Sequence, residues 1–424
     1  MKIRSFYPLF WAFFLIFLGC ITQFIPSQPT ENNINKSCSV FTREGFYPSL
    51  YGRIADNYTD AVMLLISRSE PDKPSFERFF VAPLYTVRNS NVNWADIYPI
   101  EALCQNVLLH HRITYPRYWH GYQIVLRPLL YFTDYQHIRT INKYAQQILF
   151  ILLLFLFYLR RTYGLILGWI VCYIILGPAA MPMNMTYSII YYIMAVFAVL
   201  LLSFPKTIKK YISWPIFFMI IGITTSFFDF LTYPIATLAI PLTILMYMYP
   251  PDNFKHMMKE LLIIVTYWLC GYALMWGSKW VICTLITDEN VINDAIKSII
   301  IRERSQVMEI KYPIGEAIKD TFLHLWIQND SSVAVITGLL ISIMAILRQP
   351  RKCFNFMKAQ YFQLLPFAAI ASGIIVYCLI IKGHPLQHAP YTYRLWIVFF
   401  FPLISGLNFW AVAANKKSKE TKYD

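Results

Sequence analysis

Charged side chains are scarce in this sequence. Asp, Glu, Lys and Arg together make up 14 % of its 424 residues, against roughly a quarter in ordinary soluble proteins. With 57 % hydrophobic residues and a mean hydropathy of +0.46, the chain has more apolar surface than one soluble core hides, which argues against a soluble globular class and for a bilayer. The eight cysteines contain no CxxC pair, so neither a zinc knuckle nor a redox dithiol is signalled. HExxH is missing as well, and no repeat of solenoid period or inverted duplication is evident.

What the sequence does hold is a series of apolar runs. Those at 148–158 and 369–381 do not alternate as barrel strands do, and unpaired backbone is too costly in lipid, so the runs read as helices. Candidate spans at 7–24, 144–159, 164–180, 184–204, 211–229, 232–250, 260–276, 330–347, 362–382 and 394–414 predict an all-α polytopic membrane protein of about ten transmembrane helices. Residues 1–424 form a single integral membrane domain on this reading. Phe17-Leu18-Gly19-Cys20 approaches a lipoprotein processing box, but Phe17 fits it poorly and further spans follow, so the first run reads as an uncleaved signal anchor.

The net charge of +14 is carried by short clusters at the ends of apolar runs. Arg160 with Arg161, Lys206 with Lys209 and Lys210, Lys255 with Lys259, and Arg348 with Arg351, Lys352 and Lys358 recur at every second turn. Such spacing orients spans and meets anionic headgroups rather than nucleic acid. Both termini are then cytoplasmic, in an integral cell membrane of bacterial cytoplasmic type, with two long segments outside: 27–142 and 277–329.

Loops of that length at a membrane surface ask for a task. In the first, 27–35 reads as a polar connector, 55–67 as a helix, and 119–126 as a stretch along the membrane before Arg127-Pro128 turns the chain. In the second, 295–311 reads as a surface helix or a lid. Cys38 and Cys104 share the first segment and can pair if that face is oxidising, although sequence does not establish their proximity.

Candidate chemistry falls into four groups. Asp56 and Asp60, one helical turn apart, can act as a base or hold a cation beside a diphosphate; equally, loop aspartates cap helices. Arg53 is expected on the same helical face, steadying Asp56. Arg117, His120 and Arg127 suit a lipid phosphate or plain interfacial anchoring. Asp229 either caps the following helix or serves a cavity. The run from Lys382 to Arg394 offers His384, His388 and Arg394 for a phosphate, or forms an ordinary interfacial turn; its prolines weigh against metal ligation by the histidines. Residues 181–187 border another outer turn, where a flexible aromatic pocket competes with packing.

Many spans, a large first outer loop with surface helices and an acidic residue early in that loop together resemble the GT-C superfamily of membrane glycosyltransferases. The resemblance implies sugar transfer from a polyprenyl-phosphate or polyprenyl-diphosphate donor to a cell-envelope glycan or lipid acceptor. It places Asp56, and next Asp60, at the acidic catalytic position, with Arg117, His120 and Arg394 facing the donor. Mg²⁺ or Mn²⁺ accompanies some members, although the adjacent acidic pair of many relatives is missing here. Two other classes fit the same composition: a lipid or oligosaccharide transporter gated by the polar loops, with Asp229 and Arg394 on its route, and a membrane scaffold.

Overall fold

The computed structural model describes residues 4, 6–68, 75–86, 99–104, 111–287, 290–303, 306–307, 310–311, 313, 315–381 and 383–420. Of the residues singled out in the sequence, Lys382 lies outside these, as do 288–289, 304–305, 308–309, 312 and 314 of the second outer segment. The architecture is helical, with three two-stranded ribbons as the sheet structure among the described residues.

Five helices are long and apolar enough to cross a membrane: Tyr135–Leu159, Met185–Ser203, Phe254–Ile286, Asn329–Leu347 and Ala389–Asn415. Three more crossings arise if each bent pair is counted once, giving up to eight. The protein is therefore an integral membrane protein. The expected count of about ten draws further on Gly164–Leu176 and Ala236–Met248, each of 13 residues. At 1.5 Å per residue these reach about 20 Å, short of a hydrocarbon core of about 30 Å. Both are largely buried, so longer neighbours shield their ends from lipid.

The bundle has two chemically different ends. At one, Arg160 donates to the carbonyls of Leu202 and Ser203, and Arg4 to that of Lys210. There the basic helices Pro205–Ile212 and Pro350–Gln363 turn away from the following apolar helices by 97° and 62°, so Lys206, Lys209, Lys210, Arg351 and Lys352 spread across that end. At the other, the helices Tyr135–Leu159 and Met185–Ser203 both begin beside Asp60, and the carbonyls of Ile174 and Ile175 meet Arg53. This second end carries the long polar segments.

The first polar segment departs from expectation in two places. Residues 27–35 are not a connector but the start of a helix, Ser27–Glu44, set at 85° to Phe6–Thr22. Thr30, Ile34, Ser37 and Phe41 recur at helical spacing and are its buried face. Nor does Arg127-Pro128 turn the chain: both lie inside the helix Gln123–Phe132. Arg127 donates to the carbonyls of Thr22 and Ser67, while Leu126 and Leu130 are buried, and this anchoring offsets the backbone bond that Pro128 removes. The helix expected at 55–67 is present as Asn57–Ile66.

A Cys38–Cys104 disulfide joins Ser27–Glu44 to the short helix Pro99–Cys104. In the second segment, the expected helix over 295–311 is shorter and earlier, Val291–Glu303, followed by a ribbon of Gln306–Val307 with Ile310–Lys311. The expected segment limits fall within helices, because Tyr135–Leu159 spans residue 142 and Phe254–Ile286 spans residue 277.

Candidate functional site

Asp56 ends an irregular stretch and caps the helix Asn57–Ile66. The N–H and hydroxyl of Thr59 donate to its carboxylate at 2.9 and 2.6 Å, the usual bonding of an Asp at a helix start. No cation pairs with it among the described residues. Burial raises its pKa to about 6; the two Thr59 bonds pull the value down, and the neighbouring Asp60 charge pushes it up.

Asp60 has a different fate. Its carboxylate accepts from the Tyr135 hydroxyl, the Asn184 amide, the N–H groups of Met185 and Thr186, and the Thr186 hydroxyl. This fills its acceptor capacity and satisfies the start of the helix Met185–Ser203. Asn184 links the two acids, accepting from the Asp56 N–H at 3.2 Å and donating to Asp60 at 2.8 Å.

Arg53 does not share a helical face with Asp56. Tyr51 and Gly52, both at positive φ, close a tight ribbon of Ser49–Leu50 with Arg53–Ile54, which sends Arg53 elsewhere. It donates to both Asp330 oxygens at 2.9 Å, to Ser331, to the carbonyls of Ile174 and Ile175, and to the Tyr393 hydroxyl. Arg53 thus fixes the residue next to Arg394.

Arg394 is fully buried. Its guanidinium lies 4.0 Å from the Tyr187 ring centroid and 4.8 Å from that of Tyr393, and it donates to the carbonyls of Tyr391 and Leu176 at 3.2 and 3.4 Å. No carboxylate pairs with it among the described residues. The Tyr187 hydroxyl is buried and has no hydrogen-bond partner among the described residues.

Aromatic rings join Asp56 to Arg394. Tyr47 lies 6.3 Å from Tyr58 and 6.2 Å from Tyr391, and Tyr391 lies 5.7 Å from Tyr187, over which Arg394 sits. The N–H groups of Ala55 and Asn57, on either side of Asp56, donate to the carbonyls of Pro48 and Phe46, on either side of Tyr47, so the acid lies beside the outer end of this path. His384 and His388 are 4.7 Å apart at its edge, and His384 contacts the Leu231 carbonyl at 2.7 Å. That carbonyl belongs to the Asp229 turn, in which Asp229 accepts from Leu231 N–H and from the N–H and hydroxyl of Thr232. Asp229 thus closes its own turn instead of capping Ala236–Met248.

Arg117, His120 and Arg127 hold other parts of the same end together. Arg117 pairs with Asp294 and donates to Ser298, tying in the second polar segment. His120 is buried against the Tyr115 carbonyl at 2.7 Å and among Tyr118, Tyr122 and Phe230. Burial and the nearby Lys279 charge lower its pKa to about 3 against the Tyr115 bond, so it is neutral at ordinary pH. Arg127 is spent on backbone carbonyls. For Mg²⁺ or Mn²⁺, no group of three or more His, Cys, Asp or Glu able to hold an ion occurs among the described residues, and Asp60 is already filled.

Residues 181–187 read as either an aromatic pocket or ordinary packing, and neither Asn184 as the link between the acids nor Tyr47 as the outer ring carries a motif. No family model, curated protein or solved structure matches the chain.

Proposed function

We propose that this protein is a lipid-linked-sugar-dependent glycosyltransferase of GT-C-like architecture, with Asp56 as the general base. The observation that carries the reading is the separation of two unpaired charges by tyrosines: a buried carboxylate at Asp56 and a buried guanidinium at Arg394. A buried cation without a carboxylate favours an anion, and a lipid phosphate supplies one.

In the reaction, Asp56 takes the proton of an acceptor hydroxyl as its oxygen attacks the anomeric carbon of the donor sugar. The bond from that carbon to the phosphate oxygen breaks, and its electron pair leaves with the polyprenyl phosphate, whose growing negative charge faces Arg394. The tyrosines and the helix Asn57–Ile66 restrict water around the carboxylate, which keeps its basicity above that of a solvated Asp.

A ten-span topology with both termini cytoplasmic accompanies this proposal, in a bacterial cytoplasmic membrane with the Asp56 end outside. The five to eight candidate crossings, together with the two short buried helices Gly164–Leu176 and Ala236–Met248, support it, as do the lysines and arginines at the basic end. The disulfide at the latter suits an oxidising side.

Purified protein in nanodiscs, given polyprenyl-phosphate and polyprenyl-diphosphate sugars with glycan and lipid acceptors, is expected to yield a glycosylated product by mass. Asp56→Asn should lower turnover at least about a thousandfold while donor binding persists. Unchanged turnover in that variant would remove Asp56 as base, and vectorial lipid movement without bond cleavage would favour the transporter.

A further inference from the structure

The path from Asp56 to Arg394 has unlike ends. Arg394 closes the buried end. At the other, Tyr47 is 55 % exposed, while Tyr58 and Tyr391 beside it are half-buried. Tyr47 is held in place on both sides of the acid: the Phe46 carbonyl accepts from the N–H of Asn57 at 3.0 Å, and the Pro48 carbonyl from that of Ala55 at 2.9 Å. Its ring has Phe46, Tyr58 and Tyr391 as aromatic neighbours, with centroids 6.2 to 6.4 Å away, and more than half of the residue stays exposed.

We propose that the acceptor is a carbohydrate, and that one of its sugar rings stacks on the exposed ring of Tyr47 so that a hydroxyl of that ring or the next reaches Asp56. This rests on the glycosyltransferase reading and narrows it by deciding between glycan and lipid acceptors. An aromatic face carries negative charge density and meets the slightly positive C–H face of a sugar, while the sugar's rim hydroxyls remain in water. An acyl chain has no such need for a flat, solvent-exposed ring fixed to the backbone flanking a carboxylate. The two ends then serve two substrates: the acceptor enters from solvent over Tyr47, and the donor phosphate lies toward Arg394. Tyr47 is a specificity-determining residue on this account, and the bond changes are those given above.

An exposed tyrosine near a membrane also serves as an interfacial anchor, and the test separates the two roles. Wild type, Tyr47→Ala and Tyr47→Trp in nanodiscs are assayed with a radiolabelled polyprenyl-phosphate sugar against defined mono- to trisaccharides, a diacylglycerol and a Ser/Thr peptide. Saturation-transfer NMR of the same saccharides without donor is run in parallel. Transfer to saccharides is expected, with the acceptor KM raised about five- to tenfold in Tyr47→Ala and restored in Tyr47→Trp. The donor KM should stay within about twofold, and the NMR contact to the sugar C–H face should be lost in Tyr47→Ala.

Transfer to the lipid or peptide in preference to saccharides overturns the proposal, as does an acceptor KM indifferent to Tyr47 or a change in donor KM alone, the mark of an anchor. A saccharide contact that depends on Tyr47 in a protein transferring no sugar would sink the enzymatic reading and leave a carbohydrate-binding site. Transfer without that contact would do the reverse.

Discussion

Asp56 and Asp60 are one turn apart, yet their environments divide their roles. Asp56 is buried with Thr59 as its donor, and its pKa near 6 lies above the ordinary 3.8. The folded state therefore binds an extra proton between those values. The stability this gives is complete below about pH 4 and lost as pH rises through 6. Activity runs the opposite way, because a base must be ionised: kcat/KM is expected to fall below about pH 6 with the slope of one proton. Asp229, a second buried carboxylate, is the control; Asp229→Asn should leave the midpoint of that limb in place, and a limb that vanished with Asp229 would assign it elsewhere. For stability the order reverses. Asp60→Asn turns an amide toward five donors and should cost about 3 kcal/mol, whereas Asp56→Asn removes a desolvated charge and should leave the thermal midpoint in detergent unchanged or higher. The sequence marked both acids but not the split. Three of the five Asp60 donors are backbone and side-chain groups of Met185 and Thr186, and nothing near residue 60 announces them.

At the scale of elements, two connections hold the polar shelf over the bundle. The first is Arg53, which reaches the helix Asn329–Leu347 through Asp330 and the Arg394 segment through Tyr393. The Asp330 side chain is 57 % exposed, so a double-mutant cycle of Arg53→Ala with Asp330→Ala should give only about 1 kcal/mol of coupling. Most of the loss in Arg53→Ala should come instead from the Ile175 carbonyl losing the Arg53 guanidinium and the Ile174 carbonyl being left with the Gly177 N–H. The second connection is the disulfide. Cys38 and Cys104 are 66 residues apart, and closing a loop of that size is worth about 4 kcal/mol in the chain-entropy account. Cys38→Ser should therefore open the first polar segment to limited proteolysis at a lower temperature while the apolar helices stay protected; identical digestion of both proteins would argue against the bridge. Helical spacing of Thr30, Ile34, Ser37 and Phe41 was legible in the sequence but was outweighed there by the polar residues between them. The Tyr51-Gly52 turn, by contrast, redirects Arg53 through two positive φ angles that residue type does not announce at Tyr51.

For the whole molecule, hydropathy and basic clusters carried the membrane class, because both follow from composition along the chain alone. The number of spans was less legible. Gly164–Leu176 and Ala236–Met248 are short because neighbours bury them, and apolar runs do not distinguish a helix facing lipid from one facing protein. Convergence of the sequence-distant Tyr47, Tyr187, Tyr391 and Arg394 on Asp56 is a property of the bundle, and the functional account depends on it. The most direct test places one cysteine at Tyr47 and another at Tyr391, with Cys20 and Cys270 replaced by serine, and treats intact cells from outside with a short, membrane-impermeant bifunctional thiol reagent. The account requires a rapid intramolecular cross-link, since the two rings are 6.2 Å apart. If each cysteine alone reacts from outside but the pair does not cross-link, or if either reacts only from the cytoplasmic side, Asp56 and Arg394 do not frame one site and the account is wrong.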